Sequence, residues 1–343
     1  IPLRLVGSEM CIRDRIGNTM HQRSLQAGGL DHIVIGAPAK LNFSLAVLDR
    51  RHDGFHEIES LMVPVSLYDR LHMRRLPAGE FSLEVVFAGR LGSESGHSLA
   101  RDVPDDDSNL VLRAVRLLAQ RANVDVGLSI RLEKHIPSGA GLGGGSSDAA
   151  SALFAASKIW NLDWTKDQLA ELSAELGSDI PWFFVGSAGL VHGRGEHVTP
   201  IDGIPALDVV IACPSEGLST AKVYAACAPN AQRRGEAASL AMCLQENSIR
   251  HALPLMHNAL QQSARTLAPS VDTLLSDMAK YDALHPLLTG SGSACFSICR
   301  TAKEASQLAA RLESAGWSYV FPTRCAARPM DMDFLEQQEF HRA

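Results

Sequence analysis

IPSGAGLGGGSSDAASAL, residues 136–153, places five glycines within seven positions, directly before a run of serine, aspartate and alanine. Glycine loses more backbone freedom on folding than any other residue, so this density requires a compensating interaction. Backbone N–H groups at a helix N-terminus bind anions, and the missing Cβ atoms let phosphate oxygens approach them. The stretch therefore predicts a phosphate-binding loop that leads into a helix running from Ser146 to about Trp160, with a flexible surface turn as the alternative.

Two well-known phosphate-binding loops have a similar glycine content. A Walker loop requires a lysine after its last glycine, but Ser146 occupies that position and the chain contains no Gly-Lys pair. The dinucleotide pattern G-x-G-x-x-G matches at Gly139, Gly141 and Gly144, with Asp163 about 20 residues further on. In that fold the acidic residue ends a second strand, whereas Asp163 directly precedes a predicted helix. The sequence therefore favours neither of these two loops.

The composition excludes several classes of protein. Hydrophobic residues make up 46% of the 343 and charged residues 20%, and the net charge is −6. The chain can therefore bury a large core, and it lacks the basic balance of a nucleic-acid-binding protein. Its seven cysteines are odd in number and irregularly spaced, which is typical of a reduced, cytoplasmic protein. No stretch of the sequence approaches the roughly 20 apolar residues of a membrane helix, so we expect no membrane association.

Strand-like and helical segments alternate without a regular βαβ repeat, which is typical of an α+β fold in two lobes. The Asp53-Gly54 pair predicts a turn between two strands. A helix should begin at Asn109, capped by the Asp or Ser before it, and a later helix should end on Gly177. Residues 228–250 have the composition of a polar connection, and residues 255–267 have helical spacing.

The first residues do not fit the rest of the chain. They show no signal-peptide pattern, and VGSEMCIRDR resembles translated sequencing-adapter sequence. We expect residues 1–28 to be a non-native or disordered leader. The expected order after it is an N-terminal domain at 29–195, a C-terminal domain at 196–329 and a tail at 330–343.

Three motifs in a fixed order carry a family resemblance. They are APAKLNFSL at 37–45, PSGAGLGGGSSDAA at 137–150 and LLTGSGSACFS at 287–297. Together they resemble the motifs of the GHMP small-molecule kinases. That resemblance implies a two-lobed α+β fold, with an ATP-binding N-terminal lobe like a domain of a small-subunit ribosomal protein and a ferredoxin-like C-terminal lobe. It also implies that the second glycine turn flanks the first.

Further stretches narrow the resemblance within that family. Residues 50–69, 107–114, 133–150, 176–196 and 218–224 are similar to the members that phosphorylate a cytidine diphosphate-linked methylerythritol in the non-mevalonate isoprenoid route. The resemblance implies ATP- and Mg²⁺-dependent phosphorylation of the substrate's 2-hydroxyl. Two alternatives stay open: a homoserine- or mevalonate-type kinase of the same family, and a non-catalytic ligand-binding protein on the same fold. The small molecule is the expected partner, and the chain is expected to be a monomer or a weak homodimer.

Two charged residues are the candidate catalytic pair. Asp179 precedes the apolar run IPWFF, which would limit water access, and the resemblance makes it the catalytic base. Lys40 lies in an apolar strand, where a lysine is costly unless paired, and the resemblance places it beside Asp179 and the acceptor hydroxyl. The alternatives are that Asp179 only caps the turn before Pro181 and that Lys40 extends to the surface.

The resemblance also implies a set of substrate contacts. Phe55 would stack on the cytosine in place of the family's usual Tyr, His56 would hydrogen-bond the base edge, and Tyr224 would stack from the other lobe. Without the resemblance, Phe55 and Tyr224 are ordinary core aromatics. Asn42 should hydrogen-bond substrate or hold Lys40, with an ordinary strand-edge asparagine as the alternative. The remaining candidates are Thr220, Thr289, Gly290 and Ser291.

The candidate ATP site centres on the glycine loop. Its predicted members are Pro137, Gly139, Gly141, Leu142, Gly143, Gly144, Gly145, Ser146 and Ser147 in the loop, with Asn109, Leu110 and Lys134 near the adenine and ribose. The alternative to a nucleotide contact is that Lys134 is a solvated charge at the end of a strand. The metal that bridges the phosphates should be held by Ser147, the phosphates and water.

Overall fold

The computed structural model describes residues 30–93 and 103–325. The predicted leader at 1–28 and tail at 330–343 lie outside these residues, and the domain division stays a prediction. Two β-sheets with helices packed on them make up the described chain, so the predicted α+β class is confirmed. None of the described helices is both long and apolar enough to cross a bilayer.

Within the described residues, the larger sheet has seven strands. Its path runs β3-β4-β2-β1-β8, with β5 paired to β2 and β6 paired to β5. These strands are β1 (His32–Arg50), β2 (His56–Ala78), β3 (Phe81–Phe87), β4 (Val126–Lys134), β5 (Ala188–Gly193), β6 (His197–Ile201) and β8 (His257–Asn258). A long antiparallel hairpin of β1 and β2 turns at the predicted Asp53-Gly54 position, where Gly54 has a φ of +87°. The predicted division at 195/196 falls in the turn between β5 and β6.

The smaller sheet has four strands in the order β11-β7-β10-β9. They are β7 (Asp208–Cys213), β9 (Leu287–Leu288), β10 (Cys295–Cys299) and β11 (Tyr319–Arg324). Residues from both layers, including Val210, Val271 and Leu308, share one apolar core. This sheet and its helices form the second lobe.

Ten α-helices complete the described fold. They are α1 (Leu110–Ala122), α2 (Gly144–Ile159), α3 (Lys166–Ser173), α4 (Trp182–Val185), α5 (Thr220–Ala225), α6 (Glu236–Gln245), α7 (Ile249–Ala252), α8 (Gln261–Leu267), α9 (Pro269–Lys280) and α10 (Ala302–Ser314). Helix α2 is buried on almost every side and packs against β1, β2 and α1. Its alanines let it lie close to the sheet, and its N-terminus receives the glycine loop.

Several predicted boundaries were wrong. The cap of α1 is Asn109 itself, whose side chain accepts the Val111 N–H. Helix α2 begins at Gly144 rather than Ser146, and α3 ends at Ser173 rather than Gly177. The supposed polar connection at 228–250 contains α6 and the first half of α7, and both helices contribute to a core. The segment 255–267 begins with strand β8 because His257 and Asn258 pair with β1.

Strand β1 joins the two lobes. Its side chains enter all three apolar cores in succession: Ile35 the first, Leu41 the second and Val47 the third. The two-residue strand β8, reached only after the first strand of the smaller sheet, pairs in parallel with β1 at Ser44 and Leu45. Residues from both lobes can therefore meet along β1.

Candidate active site

The glycine loop connects β4 to α2. Gly139, Gly141 and Gly143 have φ values of +64°, +79° and +73°, a region that residues with a Cβ rarely adopt. A Cβ on Gly145 would have no neighbour within 4 Å, so space is open above the first turn of α2. The loop therefore presents bare backbone at a helix N-terminus, as an anion site requires.

The second glycine turn packs against the first, as the resemblance implied. A Cβ on Gly141 would lie only 2.2 Å from the carbonyl oxygen of Thr289. The Ala294 N–H donates to the Ala140 carbonyl at 3.0 Å. No side chain larger than glycine fits at 141, so the close approach of the two turns depends on it.

Lys40 is tied to both glycine turns. Its backbone N–H donates to the Leu142 carbonyl at 2.9 Å, and its Nζ donates to Asn42 Oδ1 at 2.6 Å. The Asn42 N–H in turn donates to Thr289 Oγ1 at 3.1 Å. Lys40 is 3% exposed, so the alternative that its side chain extends to the surface is wrong. Of the two contacts predicted for Asn42, the structure contains the one with Lys40.

Asp179 lies in the same cavity as Lys40. Burial lowers the pKa of the Lys40 ammonium, and the negative charge of Asp179 offsets part of that shift. Behind them the apolar run forms α4, whose Phe183 would contact a Cβ on Gly143 at 2.9 Å. An ammonium and a carboxylate thus lie beside the glycine loop, with an aromatic wall behind them.

The cavity has a volume of about 900 Å³ and contains most of the predicted site. The predicted residues that line it are Lys40, Asn42, Phe55, His56, Gly139, Gly141, Gly143, Asp179, Thr220, Tyr224, Gly290 and Ser291. They come from both lobes and span 251 positions of the chain, from 40 to 291. The fold therefore gathers the predicted catalytic and substrate residues around one space.

The far end of the cavity is aromatic. The rings of His56 and Tyr224 lie 5.3 Å apart between centroids, and Phe55 is 50% exposed. Burial and the charge of Arg50 lower the pKa of His56, which favours the neutral imidazole, a form that can both donate and accept. Thr220 Oγ1 and Ser291 Oγ are hydrogen-bonded at 2.8 Å, which connects α5 to the second glycine turn.

Two arginines of the cavity were not singled out from the sequence. Arg50 ends β1, and Arg194 follows β5 in the turn before β6. The guanidinium carbon of Arg194 lies 5.3 Å from the centre of the Phe55 ring. Arg50 and Arg194 lie in two of the stretches that resemble the family, 50–69 and 176–196, and Arg194 also lies between two glycines in VHGRGE.

Lys134 lies outside the cavity lining, in a buried charge cluster beneath the loop. Its Nζ donates to Asp148 Oδ2 at 2.7 Å and also to Asp69 Oδ2. Asp69 Oδ1 accepts the N–H groups of His135 and Ile136, at 2.5 Å and 2.8 Å. The cluster thus fixes the end of β4 to the start of α2. Lys134 is 2% exposed, so the alternative that it is a solvated charge at a strand end is wrong. Its predicted contact with the nucleotide stays a prediction.

The pKa values of the cluster reflect burial opposed by pairing. Burial raises the pKa of Asp148 to about 8, and the charge of Lys134 offsets part of that rise. For Lys134, burial acts to lower the pKa, but Asp148 and Asp69 together outweigh it and raise the pKa above its usual range. Sequence reasoning missed Asp69 and Asp148 because neither belongs to a local pattern that predicts pairing with Lys134.

Three predicted nucleotide or metal contacts lie in the first turns of α1 and α2. Asn109 caps α1 and donates to the Pro104 carbonyl, and Leu110 is the first residue of that helix. The Ser147 hydroxyl is fully buried in the first turns of α2 and has no hydrogen-bond partner among the described residues. Within 30–93 and 103–325, no group of three His, Cys, Asp or Glu side chains could hold a metal.

Comparisons with known proteins agree with this arrangement. The GHMP kinases N terminal domain matches residues 109–187 and the GHMP kinases C terminal domain matches residues 238–317. The 4-diphosphocytidyl-2-C-methyl-D-erythritol kinase of Pelotomaculum thermopropionicum is 37% identical over 276 residues, which are 80% of this chain and 92% of the relative. The enzyme of the same name from Bacillus cytotoxicus is 37% identical over 266 residues, 78% of this chain and 88% of the relative.

Solved structures give the same result. The crystal structure of a 4-(cytidine 5'-diphospho)-2C-methyl-D-erythritol kinase superposes with a TM-score of 0.69 at 31% identity, covering 86% of this chain and all of the other. A homoserine kinase from Cytophaga hutchinsonii has a TM-score of 0.68 at 17% identity over 87% of this chain and 96% of its own, and shows the shared fold. The predicted two-lobed GHMP kinase fold is therefore confirmed. Sequence identity, the two matched domains and the fold together establish that the chain belongs to the GHMP kinases, in the family of the 4-diphosphocytidyl-2-C-methyl-D-erythritol kinases.

Proposed function

We propose that this chain transfers the γ-phosphoryl group of ATP to the 2-hydroxyl of 4-diphosphocytidyl-2-C-methyl-D-erythritol, giving the 2-phosphate and ADP in the non-mevalonate isoprenoid route. One observation carries the proposal: a single cavity is lined by the glycine loop, by Lys40 with Asp179, and by the aromatic residues Phe55, His56 and Tyr224. The first feature suits a triphosphate, the second an alcohol and the third a nucleobase.

The glycine loop binds the phosphates of ATP. Its positive-φ glycines and the open space above Gly145 support an approach of phosphate oxygens to the backbone N–H groups at the start of α2. Asn109, Leu110 and Lys134 form the adenine and ribose end of the site in this proposal. Thr289, Gly290 and Ser291 support the loop from the second glycine turn, through the contact of Thr289 with Gly141.

Asp179 accepts the proton of the acceptor hydroxyl, and Lys40 stabilises the charge that builds on its oxygen. Phosphoryl transfer depends mostly on positioning and charge neutralisation, which a fixed ammonium provides. The hydrogen bond from Lys40 Nζ to Asn42, which is itself anchored to Thr289 and Ser60, limits the movement of the ammonium. Asp179 is adjacent to the buried α4, so that side of the carboxylate is shielded from water.

Ser147 fits a role in holding Mg²⁺. Its hydroxyl is buried, lies in the helix that follows the loop, and has no hydrogen-bond partner among the described residues. A hard cation of this kind takes oxygen ligands and keeps several waters. When bound, Mg²⁺ would neutralise charge on the phosphates.

The aromatic end selects the cytidine. Phe55 provides an exposed ring face for stacking, and neutral His56 can donate to and accept from the polar edge of the base. Tyr224 closes the site from the second lobe, and Thr220 and Ser291 lie beside it. A homoserine or mevalonate kinase has no use for this end of the cavity, which is why we favour the cytidylated substrate.

The setting of the enzyme is also part of the proposal. The cysteines within the described residues are all free thiols, which supports a cytoplasmic location. We propose that the chain acts as a monomer or a weak homodimer on a small molecule, with no nucleic acid or membrane as partner.

An ADP-release assay coupled to NADH oxidation tests the function. We expect turnover with 4-diphosphocytidyl-2-C-methyl-D-erythritol and none with mevalonate or homoserine at equal concentration. Asp179→Ala should abolish turnover while ATP affinity, measured by calorimetry, stays within twofold of wild type. Asp163→Ala, at an exposed position outside the cavity, is the matched control and should retain full activity.

Three outcomes would contradict the proposal. Equal activity with mevalonate would exclude the cytidine specificity. Unchanged turnover in Asp179→Ala would exclude the assigned base. Binding of ATP and the cytidylated alcohol without any ADP release would identify a non-catalytic protein.

A further inference from the structure

Arg194 lies between the two ends of the cavity. Its guanidinium carbon is 5.3 Å from the centre of the Phe55 ring, at the aromatic end. Its neighbour Gly195 is at the transfer end, because a Cβ there would lie 3.2 Å from Asp179 Oδ1. Two consecutive residues therefore span the distance between the base-binding and the phosphoryl-transfer groups.

The base of the Arg194 side chain is anchored. Its backbone N–H donates to Glu196 Oε2 at 2.7 Å, and its Nε lies 3.7 Å from Glu196 Oε1. A Cβ on Gly193 would lie 2.6 Å from Glu196 Oε2, so the glycine leaves room for this carboxylate. Among the described residues, Glu196 is the one carboxylate within ion-pair distance of Arg194. The guanidinium itself borders the cavity and its side chain is 34% exposed.

The charges around the cavity favour an anionic ligand. Among the described residues, Lys40, Arg50 and Arg194 line it against one carboxylate, Asp179. Lys40 is near the glycine loop and is occupied by the transfer chemistry. Arg194 lies instead over Phe55, at the aromatic end of the cavity.

We infer that Arg194 binds the diphosphate that joins the cytidine to the alcohol, and thereby selects a diphosphate-linked substrate. The inference rests on the proposed function, because a substrate with its base at Phe55 and its hydroxyl at Asp179 must extend its diphosphate past Arg194. A guanidinium offers planar, bidentate donors that match phosphate oxygens. The contact of the guanidinium with the Phe55 ring fixes the orientation of the guanidinium plane. Phosphate binding is thereby coupled to stacking of the base on Phe55.

The test compares Arg194→Met and Arg194→Lys, with calorimetric titration of CDP and of cytidine as probes. Hydrogen bonds to charged groups have net values that correspond to about a tenfold to hundredfold change in affinity. Arg194→Met should therefore weaken the affinity for CDP by about tenfold or more. Its affinity for cytidine should stay within twofold of wild type. Arg194→Lys keeps the positive charge but not the bidentate donors, so its CDP affinity should lie between those of wild type and Arg194→Met. In turnover, KM for the cytidylated alcohol should rise, and KM for ATP should not.

Arg90→Met is the matched control. Arg90 also lies over an aromatic ring, at 5.9 Å from the centre of Phe321, and pairs with Glu313, but it is outside the cavity. It should leave both CDP and cytidine affinities unchanged. The melting temperature of each variant establishes that it is folded.

The inference is overturned if Arg194→Met leaves CDP affinity unchanged, or if it weakens CDP and cytidine equally, which would mean that Arg194 only supports the Phe55 ring. These results are independent of catalysis. Wild-type protein that binds CDP but does not turn over the cytidylated alcohol would refute the proposed function and leave the role of Arg194 in diphosphate binding intact.

Discussion

Replacing Lys134 with Met tests the charge cluster beneath the glycine loop. The lysine is 2% exposed and donates charged hydrogen bonds to Asp69 and Asp148, which are equally buried. Two hydrogen bonds to charged partners contribute about 1.5–3 kcal/mol each, and removing one member of a buried ion pair costs about 3–5 kcal/mol. The first route gives a loss of about 3–6 kcal/mol in the free energy of unfolding and the second a loss of about 3–5 kcal/mol. That loss is a large share of the stability of an ordinary domain.

Urea unfolding followed by tryptophan fluorescence measures this loss. Lys303→Met, at an exposed position in α10, is the control and should leave the midpoint unchanged. Lys134→Met combined with Asp148→Asn should recover part of the loss, because one of the two unpaired buried carboxyls is then removed. A loss below about 1 kcal/mol, the value of a surface ion pair, would refute the reasoning. No recovery in the double variant would show that Asp148 is not the partner that matters.

Three further results are expected. Because burial raises the pKa of Asp148 from 3.8 to about 8, the folded state binds the proton more tightly, and the free energy of unfolding should fall as pH rises from about 4 to about 8. Asp148→Asn should flatten that dependence in urea titrations at several pH values, and an unchanged slope would contradict the assignment. Gly141→Ala should lower the melting temperature by several degrees and weaken ATP binding, since its Cβ would lie 2.2 Å from a backbone oxygen. Gly145→Ala, with nothing within 4 Å, should keep the melting temperature, so equal losses in both variants would exclude the clash as the cause. Glu59→Ala should lower the free energy of unfolding by about 1–3 kcal/mol in the same urea assay. The buried Glu59 carboxylate accepts the N–H groups of Gly235 and Ala237 at the start of α6. An unchanged midpoint would show that this contact does not stabilise the helix.

The parts of the fold that the sequence predicts have strong local signals. Five glycines in seven positions followed by serine, aspartate and alanine are a strong local pattern, and the loop and the bounds of α2 were predicted to within about two residues. The Asp-Gly pair between two apolar arms similarly located the β1-β2 hairpin. Lys40 is unusual in an apolar strand, so its burial with a partner could be anticipated from elementary electrostatics. Its closeness to Asp179, 139 positions later, came from the family resemblance.

The parts that were missed depend on long-range contacts. Strand β8 has two residues, too few for any periodicity, and exists only because β1 offers it hydrogen-bond partners. Helix α6 is flanked by Arg-Arg and Glu-Asn, which made its apolar residues look like part of a polar connection. Asp69 lies 65 positions from Lys134, and Arg194 lies 139 positions from Phe55. No local pattern links such pairs, so only the folded chain reveals them.

The short strand β8 has a consequence for synthesis on the ribosome. Asn258 donates to the carbonyl groups of Leu288 and Gly290, so this residue ties the open edge of β1 to the second glycine turn. A nascent chain that has not yet exposed residues 257–290 holds the glycine loop without its supporting turn, and leaves that edge of β1 unpaired. The phosphate-binding loop therefore gains its supporting turn only once residues 257–290 have been synthesised, late in translation.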